Sequence, residues 1–292
     1  MLDLLKEAIA EWKEDKASVL AAALSFYTMI SLAPLLVLAT AVAGLFYGQE
    51  AASGRLSAEI ADMVGRDAAQ FVEEMVKSAS KPAQGMVATT MGLVMLLVGA
   101  SGVFGALQDA LNTIWDVEPK KQSWLEMFQT RFLSLSMVVA TGFLLLVSLV
   151  ASTLVSAMTD LIGPFGQGLN LLVSLAVFTG SFAAIFKVLP DVKVAWGDVW
   201  HGAFFTSVLF TLGKFLIGLY LGHSAVASSY GAAGALAVIL IWVYYSAQIL
   251  FLGAEFTQVY SRAQGHEPEP APHARSIRQQ TVPGRTTSAA LS

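Results

Sequence analysis

No cysteine occurs in the 292 residues, which excludes disulfides, thiol catalysis and thiolate metal sites. Charge is scarce too. Asp, Glu, Lys and Arg make up 13% of the chain, where a soluble domain carries roughly a quarter. That leaves too little polar surface to wrap a soluble body of this length. The only histidines are His201, His223, His266 and His273, and the last two fall in a Pro-rich tail. This spread argues against a histidine metal centre. Also missing are a phosphate-binding glycine loop, a His-Glu-x-x-His motif and a Gly-x-Ser-x-Gly nucleophile elbow. No paired catalytic set for an intramembrane protease can be assembled. A nuclease would need clustered carboxylates beside a basic surface, and the acids are scattered. The chain is expected to be non-enzymatic, with no metal, no other cofactor and no nucleic-acid partner.

What is abundant is apolar length. Hydrophobic residues make up 55% and gather in six runs, at about 18–46, 86–112, 132–159, 168–189, 200–222 and 230–256. About 20 apolar residues suffice to cross the hydrocarbon core as a helix. The expected fold is all-α: a polytopic membrane protein with six transmembrane helices over 17–260. The first run is too long for a cleaved signal peptide and is expected to be retained.

Lys and Arg accumulate in loops that stay cytoplasmic. One side of the expected topology holds Lys6, Lys13, Lys16, Lys120, Lys121, Arg131, Lys187, Lys193, Arg262, Arg275, Arg278 and Arg285. The other holds Arg55, Arg66, Lys77 and Lys81, all in one loop with six acids. Both termini are therefore expected in the cytoplasm.

Residues 1–16 read as an amphipathic helix, with Leu2, Leu5, Ile9 and Trp12 at helical spacing. Such a helix lies in the membrane interface or packs on the inner end of the bundle. Pro34, near the middle of the first span, removes a backbone hydrogen bond and marks a helix kink. It either shapes a cavity or is an ordinary packing bend. Residues 50–83 form the large outer loop, expected to hold amphipathic helices that cap the bundle or bind a periplasmic protein. The tail, 261–292, is rich in Pro, Gln, Ser, Thr and Arg and is expected to be a disordered cytoplasmic segment.

Ionisable groups at bilayer depth raise a functional hypothesis. Asp109, Glu255, Arg131 and Lys187 all fall near the cytoplasmic helix ends, where they could form an interfacial ion cluster. Lys214 sits deeper, about 9–12 Å from the outer end of the fifth span. Ser207, Thr211 and Lys214 share a helical face, as do Gln108 and Asn112 in the second span and Tyr244 and Gln248 in the sixth. These stripes either line a substrate path or make interhelical hydrogen bonds. Lys214 either attracts an anionic group or snorkels.

Several blocks resemble the YihY/BrkB family. They are Ala21-Ala22-Ala23-Leu24-Ser25-Phe26-Tyr27-Thr28 with Ser31-Leu32-Ala33-Pro34-Leu35, then Asn112-Thr113-Ile114-Trp115 and Leu189-Pro190-Asp191. Tyr230-Gly231-Ala232-Ala233-Gly234 and Gly253-Ala254-Glu255-Phe256-Thr257 complete the set. The resemblance implies a bacterial inner-membrane protein of six helices. Members were once labelled ribonuclease BN, others a serum-resistance factor, and it implies links to export of envelope lipid. It supplies no catalytic residues. The leading expectation is a transporter or export factor for an amphipathic or anionic envelope molecule. A membrane scaffold is the second, and a membrane-embedded enzyme the third. Membrane lipids are expected partners, with a periplasmic protein and a second copy of the chain as further candidates.

Overall fold

The computed structural model describes residues 1–47, 54, 57–58, 60–61, 65–79, 102–120, 164–223, 232–266 and 268–277. The helices are α1 (Leu2–Glu14), α2 (Ala17–Tyr47), α3 (Arg66–Ala79), α4 (Pro164–Val188), α5 (Trp196–His223) and α6 (Ala232–Ala263). A further helical stretch occupies 102–114. Among the described residues, four short strands follow the helix ends: β1 (Val117–Pro119), β2 (Val192–Lys193), β3 (Glu269–Pro270) and β4 (Ala274–Ser276). Three segments among the described residues are long and apolar enough to cross a membrane: Leu171–Val188, Trp196–Ile217 and Ala233–Ala263. The first expected run lies within α2, which continues through Pro34. Most of the second run and all of the third, with Arg131, lie outside the described residues.

Helix α6 is the hub, packing against α1, α2, α3 and α5, while α4 packs on α5. Lipid tails are as apolar as leucine, so close fit rather than water exclusion holds such helices together. Between α4 and α5 the fit is aromatic. Phe210 meets Phe178 and Phe182 edge-on, at 5.2 and 5.6 Å between ring centroids. Phe205 of α5 stacks on Phe256 of α6 at 4.2 Å. Each such pair contributes about 0.5–1.5 kcal/mol beyond its buried area.

The ends of α6 set the geometry. Near its start, Ala235, Val238, Ile239 and Trp242 cluster with Ala68 and Val72 of α3. Near its end, Phe256 and Val259 cover Ala8 of α1. About 28 Å of helix separates the centres of these two levels, close to the roughly 30 Å of a hydrocarbon core. The amphipathic helices α1 and α3 thus lie at opposite ends of α6.

Helix α1 is well formed for a short segment, with Asp3 in its first turn and Lys13 in its last, both matching the helix dipole. It ends where Lys16 takes a left-handed φ of 51°. Of the two readings of α1, packing on the bundle end describes Ala8, which is fully buried, while Leu2 remains exposed.

The disordered reading of 261–292 needs correction as far as Ile277. Helix α6 runs on to Ala263, and the segment beyond it pairs twice. Strand β3 is antiparallel to β2, and β4 to β1 in the register Val117↔Ser276, Glu118↔Arg275, Pro119↔Ala274. A composition this polar excludes a buried apolar core. Here backbone pairing with two loop edges replaces one. Residues 278–292 lie outside the described residues.

Candidate functional site

The polar chemistry gathers where α1, residues 108–120, the α4–α5 connection and the tail meet. Pro190 cannot continue a helix, and α4 stops at Val188. Asp191, directly after the proline, becomes an acceptor hub. Its Oδ1 accepts from Gln108 Nε2 at 3.0 Å and faces His273 Nε2 at 2.9 Å. Its Oδ2 accepts from Asn112 Nδ2 at 2.9 Å, and its own N–H donates to Asn112 Oδ1 at 2.8 Å. Gln108 and Asn112, one helical turn apart, reach it from one face. The Asp191 carbonyl then accepts from Ala271 N–H.

A second buried carboxylate, Asp198, sits in the first turn of α5, where the helix dipole favours negative charge. It accepts from Ser261 Oγ at 2.9 Å and faces His266 Nδ1 at 3.0 Å. The two tail histidines thus rest on two aspartates that flank one short connection. Lys120 adds a bond from its Nζ to the Pro272 carbonyl, and Arg275 pairs with Glu118 at 2.6 Å.

The third group joins α1 to α6. Arg262 bridges Glu11 at 2.9 Å and Asp116 at 3.1 Å. All three side chains are at most about one-third exposed, so the pairing is stronger than a surface bridge. Glu255 lies about two turns deeper along α6 and is fully buried.

Of the expected ion cluster, Asp109, Glu255 and Lys187 are described. Among the described residues, no ion pair links Asp109, Glu255 and Lys187. Asp109 is exposed. Lys187 donates to the Val194 carbonyl and lies 5.4 Å from the Trp196 ring. Arg131 lies outside the described residues. Glu255 faces α1 instead, because its position on α6 falls under the α1–α2 turn. Of the α5 stripe, Ser207 is fully buried and hydrogen-bonded to Thr179 of α4 at 2.8 Å. Thr211 returns its hydroxyl to the Ser207 carbonyl, and Lys214 is half-buried. Tyr244 is exposed, and Gln248 keeps a buried Oε1 without a partner. No group of three or more potential metal ligands occurs among the described residues.

Sequence reasoning missed Asp198, Ser261, Asp15 and the two tail histidines, and read Asp191 only as a chain break. The signals were present but weak. Two of only four histidines lie in the tail, and Pro190-Asp191 interrupts an apolar run.

Long apolar helices around buried polar pairs, with carboxylate networks at one end, define a helical membrane protein. This chain belongs to the family described as Virulence factor BrkB, whose model matches residues 8–278. A UPF0761 membrane protein of Tolumonas auensis is 31% identical over 185 residues, covering 62% of this chain and 59% of that relative. One from Albidiferax ferrireducens is 28% identical, with 83% and 58% covered. One from Pseudoalteromonas translucida is 26% identical, with 85% and 82% covered. The chain therefore spans less than two thirds of the length of the first two of these relatives. No solved structure matches it.

Proposed function

We propose that this protein is a multi-pass inner-membrane protein, both termini cytoplasmic, that moves an amphipathic or anionic lipid-like envelope molecule along a polar path between its helices. The carrying observation is Lys214, a half-buried cation within a segment long and apolar enough to span a membrane. Ionisable side chains at such a depth face the bundle interior and commonly mark a substrate pathway. Thr211 continues the stripe towards the Trp196 end, and Ser207 closes it by its bond to Thr179. The orientation is supported by α1 and the end of α6 lying together, joined by Arg262 and Glu11, on the side rich in Lys and Arg. In this reading α3 faces the periplasm and is offered to a protein partner there, a homo-oligomer is compatible, and no catalysis is involved.

A scaffold that transports nothing is the second reading. The buried Thr179–Ser207 contact favours it, because a hydrogen bond between packed helices needs no path. Proteoliposomes carrying a fluorescent short-chain phosphatidylglycerol separate the two. Wild-type protein should raise transbilayer movement above that of empty liposomes, and Lys214→Met should remove most of the gain. Movement equal to empty liposomes would leave the scaffold. Full movement with Lys214→Met would remove that lysine from the path.

A further inference from the structure

Two of the apolar segments meet at one level of the molecule. Leu171–Val188 finishes, and Trp196–Ile217 begins, on either side of the short α4–α5 connection. Lys187 and Trp196 therefore stand where hydrocarbon gives way to headgroups. Trp196 and Trp200, one turn apart on α5, are 55% and 49% exposed, and Phe204, a further turn along, is 53% exposed. Val188, the last residue of α4, is exposed as well.

The charge left over at this level is positive. Lys187 donates to the Val194 carbonyl and lies 5.4 Å from the Trp196 ring. An ammonium carries three donors, so that bond does not exhaust it. The nearby acids are committed elsewhere. Asp191 is held by Gln108, Asn112 and His273, and Asp198 by Ser261 and His266. Glu269 stands 3.9 Å from Lys193, and both side chains are largely exposed, so their charges cancel at little gain. Among the described residues Lys187 has no carboxylate partner.

Tryptophan settles at membrane surfaces because its ring is apolar and its N–H is not. Such a pair suits any lipid. The lysine selects among lipids, since an ammonium near the surface attracts a negative headgroup. One leaflet contributes about 15 Å of hydrocarbon, half of the core, and Phe204 lies about 12 Å along α5 from Trp196. The stripe from Trp196 to Phe204 thus has the depth of one acyl chain. We propose that Lys187, Trp196 and Trp200 form a docking site for one anionic phospholipid, its headgroup on the lysine and an acyl chain along Phe204. The lipid stays in the leaflet it occupies, so the site stands or falls apart from the transport reading.

The test uses the full chain in liposomes with the same lipids in both leaflets, so it does not depend on orientation. Val188→Cys provides the single cysteine of the chain and carries a fluorophore. Phosphatidylglycerol or phosphatidylcholine, spin-labelled near the top of its acyl chain, quenches that fluorophore on contact. Phosphatidylglycerol should associate about fivefold more strongly than phosphatidylcholine, the preference that one cation confers at a membrane surface. Lys187→Gln should bring the two lipids to parity, and Lys187→Arg should keep the preference. The same fluorophore on Leu172→Cys, exposed near the other end of α4, should report no preference.

Equal quenching by the two lipids at Val188→Cys, with Lys187 intact, would overturn the site. So would a preference that survives Lys187→Gln, or one just as large at Leu172→Cys. Weak quenching by both lipids at Val188→Cys, beside strong quenching at Leu172→Cys, would overturn it too, since protein and not lipid would then cover this face. The first and last of these comparisons leave Lys187 unchanged, so they decide even where Lys187→Gln fails to fold.

Discussion

Gly202 of α5 receives Thr257 of α6 so closely that a β-carbon on the glycine would lie 1.8 Å from the threonine Oγ1 and 2.7 Å from its Cβ. The contact is reciprocal: a β-carbon on Gly253 would meet Thr206 Oγ1 at 1.9 Å. Each threonine sits four residues after the glycine of its own helix and bonds that glycine's carbonyl at 2.7 Å. Both hydroxyls are thereby satisfied within their own helix, and each threonine turns its Oγ1, with its Cβ close behind, into the gap opposite. Small residues let helix backbones approach in this way, and the approach is what holds α5 on α6.

Gly202→Ala should therefore force the two helices apart. Overpacking of a tight contact costs about 1–3 kcal/mol. Thermal unfolding in detergent should show the loss, and Gly253→Ala should show a similar one. Adding Thr257→Ala to Gly202→Ala should restore only part of it, because the Thr257 Cβ already stands too near. Unchanged stability in Gly202→Ala would mean that the helices do not meet at this crossing.

The extent of what could be read beforehand follows from sequence distance. Leu171–Val188, Trp196–Ile217 and Ala233–Ala263 announce themselves by continuous apolarity, and α1 by its periodicity. The Pro190 break is equally local. The role of Asp191 is not, since its partners Gln108 and Asn112 lie 83 and 79 residues away. Glu255 was legible as an anomaly, an acid at the end of an apolar run. Its neighbour Asp15 was not, because only the turn at Lys16 brings the end of α1 onto α6. The tail misled through composition, which measures the means to build a core and says nothing of strand edges waiting elsewhere.

The tail pairing can be trapped. Val117 and Ser276 face each other as a pair flanked by the bond from Ile277 N–H to the Asp116 carbonyl. Such a non-hydrogen-bonded pair has its Cα atoms about 4.5 Å apart, within the span a disulfide accepts. A Val117→Cys, Ser276→Cys double variant has no competing cysteine in this chain. Mild oxidation should lock the tail, seen as a mobility shift reversed by reductant. A chain that stays reduced under conditions that oxidise an exposed control pair would contradict the register.

Asp198 should prove mainly structural. Removing its buried carboxylate with Asp198→Ala leaves Ser261 and His266 without their shared acceptor. A loss of about 1 kcal/mol is expected, because buried Ser261 keeps the His266 carbonyl at 3.2 Å and the His266 side chain is already 58% exposed. Ser261→Ala should cost less, since Asp198 keeps His266. Equal stability for Asp198→Ala and wild type in chemical unfolding would show that the pairing adds nothing.

Asp191 and His273 separate support of the bundle from support of the tail. In His273→Ala, Asp191 keeps both Gln108 and Asn112, so the helices should lose little stability. The tail, losing one of its fastenings, should be cut faster by trypsin after Arg275. Asp191→Ala removes the acceptor from all three at once. Asn112 is almost fully buried, and its stranded amide should cost about 1–3 kcal/mol while the tail loosens as well. The two variants should therefore give equal gains in cleavage but unequal losses in Tm. Cleavage after Arg275 as slow in Asp191→Ala as in wild type would mean that strand pairing alone holds the tail, and that the aspartate serves only the helices.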